Sequence, residues 1–178
     1  MELSLSQEQQ NEMRHAHYEG ALGILVSGLV WISAALVCFF IGVHEAVWTL
    51  LIGGGLIHPI SMVVTKMLGR SAKTSKANSL NQLVMASTIW LILCCAMAYG
   101  LFVLKQELFF PVMMATIGSR YLIFASIFGR QIFWIMGASL IVAANLIFFS
   151  GAAPVVGAAV GGLIEIFFAF FVFSKASK

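Results

Sequence analysis

Three ionisable side chains, His58, Arg120 and Glu165, stand inside long apolar stretches of this 178-residue chain. An ionised group in hydrocarbon costs several kcal/mol, so such residues turn to a bundle interior and mark sites for ions, protons or polar solutes. A guanidinium and an imidazole beside a carboxylate can hold an anionic solute or relay a proton. The guanidinium and the carboxylate can also neutralise each other as a structural ion pair that fixes helix register.

Depth links the three. His58 lies 12 residues after Ala46, Arg120 lies 12 after Leu108, and Glu165 lies 13 after Ala152. At 1.5 Å per residue each sits about 18–20 Å below the start of its apolar run. Arg120 also precedes Arg130 by ten residues, and Glu165 precedes Lys175 by ten. The reading is one polar layer near mid-depth, with the Arg120 and Glu165 side chains within salt-bridge reach and His58 alongside.

The elements that must position this layer can be read from neighbouring residues. Ala153, Gly157, Gly161 and Glu165 recur every four positions, a small-residue stripe that allows close helix approach and turns Glu165 toward a neighbouring helix. Gly54-Gly55-Leu56-Ile57-His58 echoes Gly161-Gly162-Leu163-Ile164-Glu165 and suggests similar packing. Pro59 removes a helical hydrogen bond in mid-run. With Gly54 and Gly55 just upstream it predicts a kink or interruption near residues 55–59, a candidate hinge.

Composition sets the class. The chain is 61% hydrophobic and 10% charged, with mean hydropathy +0.99, which excludes an ordinary soluble domain. About 20 apolar residues cross a bilayer core as a helix. The apolar runs give six spans, at residues 20–43, 46–65, 80–104, 108–129, 131–150 and 152–174. The last two form one run, divided at Ser150-Gly151-Ala152-Ala153-Pro154, and Pro111 and Pro154 suit first helical turns. The fold class is therefore all-α, a polytopic transmembrane helical bundle in residues 20–174, with a polar tail at 1–19 and a short one at 175–178.

The leader is too long and acidic for a cleaved signal peptide. Its Ser4-Leu5-Ser6-Gln7 pattern resembles a capping box and predicts a helix running into the first span. His15 and His17 diverge on a helix and cannot share an ion. Cys38, Cys94 and Cys95 all fall in apolar runs and read as small buried hydrophobes. Trp31 and Trp90 read as interior packing, and Asn145 as a hydrogen bond across helices.

Lys and Arg set orientation. With both termini inside, Arg14, Lys66, Arg70, Lys73, Lys76, Arg130, Lys175 and Lys178 fall on the inner side, and Lys105 on the outer. Both termini are thus expected in the cytoplasm. The net charge of +3 reflects this asymmetry and is no nucleic-acid signal. The basic loop carrying Arg70, Lys73 and Lys76 is expected to attract anionic lipid heads.

No HExxH, GxSxG, Walker-type or dinucleotide Gly motif is present, nor any metal-ligand cluster or Asp pair. Ser119 beside Arg120 is the nearest approach to a nucleophile with an activating group. Neither an enzyme nor a cofactor is expected.

The stretch Gly118-Ser-Arg-Tyr-Leu-Ile-Phe-Ala-Ser-Ile-Phe-Gly129-Arg130, followed by Phe133-Trp134 and Gly137, resembles an uncharacterised bacterial family of small polytopic inner-membrane proteins. That family carries an Arg-Tyr-Leu-Pro-Phe pattern, and Ile123 stands where its Pro would be. The resemblance implies architecture and an inner-membrane setting, without an activity. Two functions follow from the residues. One is a small transporter or permease whose His58, Arg120 and Glu165 handle an anionic solute or protons. The other is a non-transporting assembly partner, sensor or accessory protein in which Arg120 and Glu165 form a structural pair.

Overall fold

An apolar segment without water must satisfy its own amides, and helix is the solution open to a single segment. The computed structural model describes residues 4–176, and every regular element among them is helical. Glu2, Lys178 and the end of the 175–178 tail lie outside the described residues. The elements are α1 (Leu5–His17), α2 (Ala21–Phe40), α3 (Val43–Met67), α4 (Leu80–Leu104), α5 (Phe109–Phe128), α6 (Ile132–Ser150) and α7 (Pro154–Ala176). Six helical segments are long and apolar enough to cross a membrane. Their ends differ from the apolar runs by three residues or fewer.

The leader does form a capped helix. Gln7 N–H donates to Ser4 Oγ at 3.4 Å and Ser4 N–H to Gln7 Oε1 at 3.1 Å. It does not run into the first span, because Tyr18, Glu19 and Gly20 all take positive φ, at 50°, 54° and 84°. That break swings α1 across the end of the bundle. There Gln10 Nε2 donates to Ser126 O at 2.8 Å and Arg14 Nη1 to Phe128 O at 2.6 Å. Both acceptors lie in the last turn of α5, where carbonyls lack helical partners. On the other side Asn78 Nδ2 donates to Gln9 O at 3.1 Å and to Glu12 Oε2 at 2.8 Å. The leader thus ties the loop at residues 68–79 to the corner between α5 and α6.

The most extensive packing is α2 on α7, followed by α5 on α6 and α2 on α3. Glycines permit the closest crossings. A methyl group at Gly118 would stand 2.8 Å from Gly137 O, and one at Gly137 2.6 Å from Gly118 O. The two backbones therefore meet directly, which no larger residue allows. On α7, Gly161 lies against the Trp31 ring, and Gly28 of α2 lies against Ile166 and the Glu165 Cβ.

Five expectations change, the one at Pro59 only in part. Ala153 is exposed in the connector before α7, so the packing stripe begins at Gly157, which meets Phe110. Of the kink or interruption expected near residues 55–59, the interruption is absent, because α3 continues as one helix through Pro59. Gly54 and Gly55 face open space, and the packed glycine on α3 is Gly53, against Val30. Trp90 is exposed while Trp31 is buried, and Asn145 donates to Ile141 O of its own helix at 2.7 Å.

Candidate functional site

Glu165 is fully buried at 0% exposure. The Tyr121 hydroxyl of α5 donates to its Oε1 at 2.8 Å, and Ser27 of α2 stands beside both groups. Oε2 is buried without a hydrogen-bond partner. The carboxyl therefore knots α2, α5 and α7 at the point where α2 and α7 are pressed together by Gly28 and Gly161.

Arg120 leaves α5 in another direction. Its Nη2 donates to Thr88 Oγ1 of α4 at 3.3 Å, and its guanidinium carbon lies 5.1 Å from the Phe124 ring centroid. Its Nε is buried and unpartnered. No ion pair joins Arg120 to Glu165. Among the described residues the side-chain ion pairs are Lys105–Glu107 at 3.5 Å and Arg130–Glu19. The reason is helical geometry. Consecutive residues project about 100° apart, so when Tyr121 enters the α2–α7 interior, Arg120 is carried toward α4. The two charges remain within electrostatic range of each other.

His58 joins neither group. It is exposed on α3, and its electrostatic neighbour is His17 at the end of α1. The three residues chosen from the sequence thus fall into three environments. Depth is a one-dimensional coordinate and does not say on which side of a helix a residue lies. The residues missed were Tyr121, Ser27 and Thr88. Tyr121 carried a usable signal, since a phenol next to an intramembrane arginine needs a polar partner when buried.

A second polar group occupies the end of the bundle where α1 lies. Glu19 is 9% exposed and accepts from Arg130. An open cavity of about 350 Å³ is lined by Asn11, Arg14, His15, Glu19 and Arg70. Arg14 also donates to Asn11. Burial, then the neighbouring Arg130 charge, holds the Arg14 guanidinium below its ordinary value, and Glu19 opposes that shift. The Arg70 guanidinium carbon lies 3.8 Å from the Tyr18 ring centroid, and Arg70 Nη1 donates to His15 O at 3.0 Å. The sequence treated this arrangement as tail and loop because its members come from three separate stretches, residues 11–19, 70 and 130.

No cluster of three metal-ligating side chains occurs among the described residues. No curated protein and no solved structure matches the chain. One family model does, over residues 6–175, a range that takes in the capped leader, all six long apolar segments and both polar groups. On that match, the chain belongs to a family of unknown function, DUF7010.

Proposed function

We propose that this chain is a multi-pass inner-membrane protein with both termini in the cytoplasm, acting as a non-transporting accessory or assembly protein. What carries this reading is the Glu165–Tyr121 contact. A carboxyl at 0% exposure, hydrogen-bonded between tightly crossed helices, ties a bundle together and has little room to exchange a solute. Arg120 is turned away to Thr88 on α4, so the two groups do not line a common solute site. The inner-membrane setting and the orientation rest on the six apolar segments and the Lys/Arg asymmetry.

A second reading has one observation in its favour. Glu165 Oε2 and Arg120 Nε are both buried without partners, and unsatisfied buried polar atoms are uncommon outside functional sites. A water-filled path reaching them would make the pair a site for protons or a small anion.

Accessibility labelling separates the two. In a background with Cys38, Cys94 and Cys95 replaced by Ala, Ser27→Cys in intact membranes is expected to resist a membrane-impermeant maleimide applied to either face. Lys73→Cys and Lys105→Cys are expected to label from opposite faces. Labelling of Ser27→Cys from either side would overturn the non-transporting reading. Labelling of the two lysine positions from one side would overturn the orientation.

A further inference from the structure

We infer that the arginine-lined cavity at the α1 end is a binding site for the phosphate-bearing headgroup of an anionic membrane lipid. The inference rests on the membrane reading above but on neither account of Glu165, which lies in a different part of the bundle.

Charge is the first argument. Arg14 and Arg70 line the cavity with Glu19, and Arg130 adjoins it through its bond to Glu19. Among the described residues, Arg14 and Arg130 stand at the Glu19 carboxylate, and the Arg70 guanidinium adds a third to the lining. Guanidinium is the side chain best suited to phosphate, because its fork of donors matches two phosphate oxygens. These side chains are already held in place. Arg14 is fixed by Phe128 O and Asn11, and Arg70 by His15 O and the Tyr18 ring. Binding then costs little further ordering of the side chains.

The second argument is what lies next door. An apolar groove of about 150 Å³ is lined by Leu22, Leu25, Leu68, Phe170 and Phe173, among others. Tyr18 touches residues that line each of them. Its hydroxyl donates to Leu68 O at 2.6 Å, its ring stacks on Phe173 with centroids 6.1 Å apart, and Arg70 packs over the same ring. A charged cavity beside an apolar groove, with one tyrosine touching the lining of both, fits a molecule with an anionic head and a hydrocarbon tail. A soluble phosphate would use only the first half. This site differs from diffuse attraction to the basic loop, because its residues come from α1, the Tyr18–Gly20 break, the loop and the α5–α6 corner.

The test uses the full chain, delipidated in detergent and returned to phosphatidylcholine nanodiscs with or without phosphatidic acid. Lipid retention is read by native mass spectrometry, and stability by the thermal midpoint. Phosphatidic acid is expected to be retained and to raise the midpoint where phosphatidylcholine does not. Arg14→Gln or Arg70→Gln is expected to weaken retention about tenfold, the loss of one charge-assisted contact. Arg14→Lys, which keeps the charge and loses the fork, should fall between, which guards against a variant that merely misfolds. Lys73→Gln with Lys76→Gln should change retention less than about twofold, because exposed charges contribute little. Glycerol phosphate, the head without its chains, should bind at least about tenfold more weakly than the lipid. Equal loss from the two loop lysines would overturn the site in favour of surface potential. Equal retention of phosphatidylcholine would overturn the anionic preference. Binding of inorganic phosphate or glycerol phosphate as tight as that of the lipid would overturn the lipid assignment.

Discussion

Replacing Tyr121 with Phe removes one oxygen from the interior and changes almost nothing else in volume, so it isolates the Tyr121–Glu165 hydrogen bond. In the folded chain that bond, 2.8 Å long, is the hydrogen bond that Oε1 of a 0%-exposed carboxyl makes, while Oε2 has none. The change takes the Tyr121 donor from a buried carboxyl and leaves Ser27 as the hydroxyl beside it. In water-soluble proteins an orphaned buried group costs about 1–3 kcal/mol. Interhelical hydrogen bonds in membranes average nearer 0.6 kcal/mol and reach about 1.7, because the unfolded chain in a membrane also finds partners. Full burial and a knot of three helices place Tyr121→Phe at the upper end of that range, at about 1.5 kcal/mol. Glu165→Gln keeps both the shape and an acceptor for Tyr121, and should cost less. The assay is reversible unfolding in mixed micelles, run as a double-mutant cycle over Tyr121→Phe, Glu165→Gln and the pair. A coupling energy below about 0.3 kcal/mol, within the usual additivity error, would refute the idea that this bond holds α5 to α7.

The α5–α6 crossing should be the least tolerant of added volume. Gly118→Ala or Gly137→Ala puts a methyl within 3 Å of backbone, which cannot rotate aside, and should cost about 1–3 kcal/mol by overpacking, measured by the same unfolding assay. Gly54→Ala faces open space and should be neutral or stabilise by up to about 1 kcal/mol through helix propensity. Equal effects at the two places would refute the close crossing. Arg120→Met should be tolerated, within about 1 kcal/mol of the parent, because Arg120 makes one 3.3 Å hydrogen bond and no ion pair, and replacing a poorly compensated buried charge by an apolar chain is often neutral or stabilising. A loss beyond about 3 kcal/mol, the signature of breaking a buried pair, would restore Arg120–Glu165 pairing.

The sequence by itself determined the helices. Uncharged runs of about 20 residues have one way to satisfy their amides in an apolar setting, and turn residues such as Gly129 and Gly151 then end them with φ of 60° and 63°. It also disclosed that Glu165 faces protein, because small residues at four-residue spacing mark one side of α7. Partners were another matter. Residues at one depth share a coordinate along the bundle axis and nothing around it, so Arg120, Glu165 and His58 read as neighbours and are not. Rotation of α5 about its own axis, fixed by the Gly118–Gly137 crossing and the Tyr121 contact, sends Arg120 to α4 and leaves Glu165 to a phenol and a serine. The arginine-lined cavity was still further from view. Its side chains come from residues 11–19, 70 and 130, and they meet because three successive positive φ values at Tyr18, Glu19 and Gly20 fold the leader back across the bundle. No periodicity records that turn, since a helix-capping pattern before an apolar run reads equally well as one continuous helix. Tertiary contacts decided it, through the carbonyls at the end of α5 that Gln10 and Arg14 satisfy.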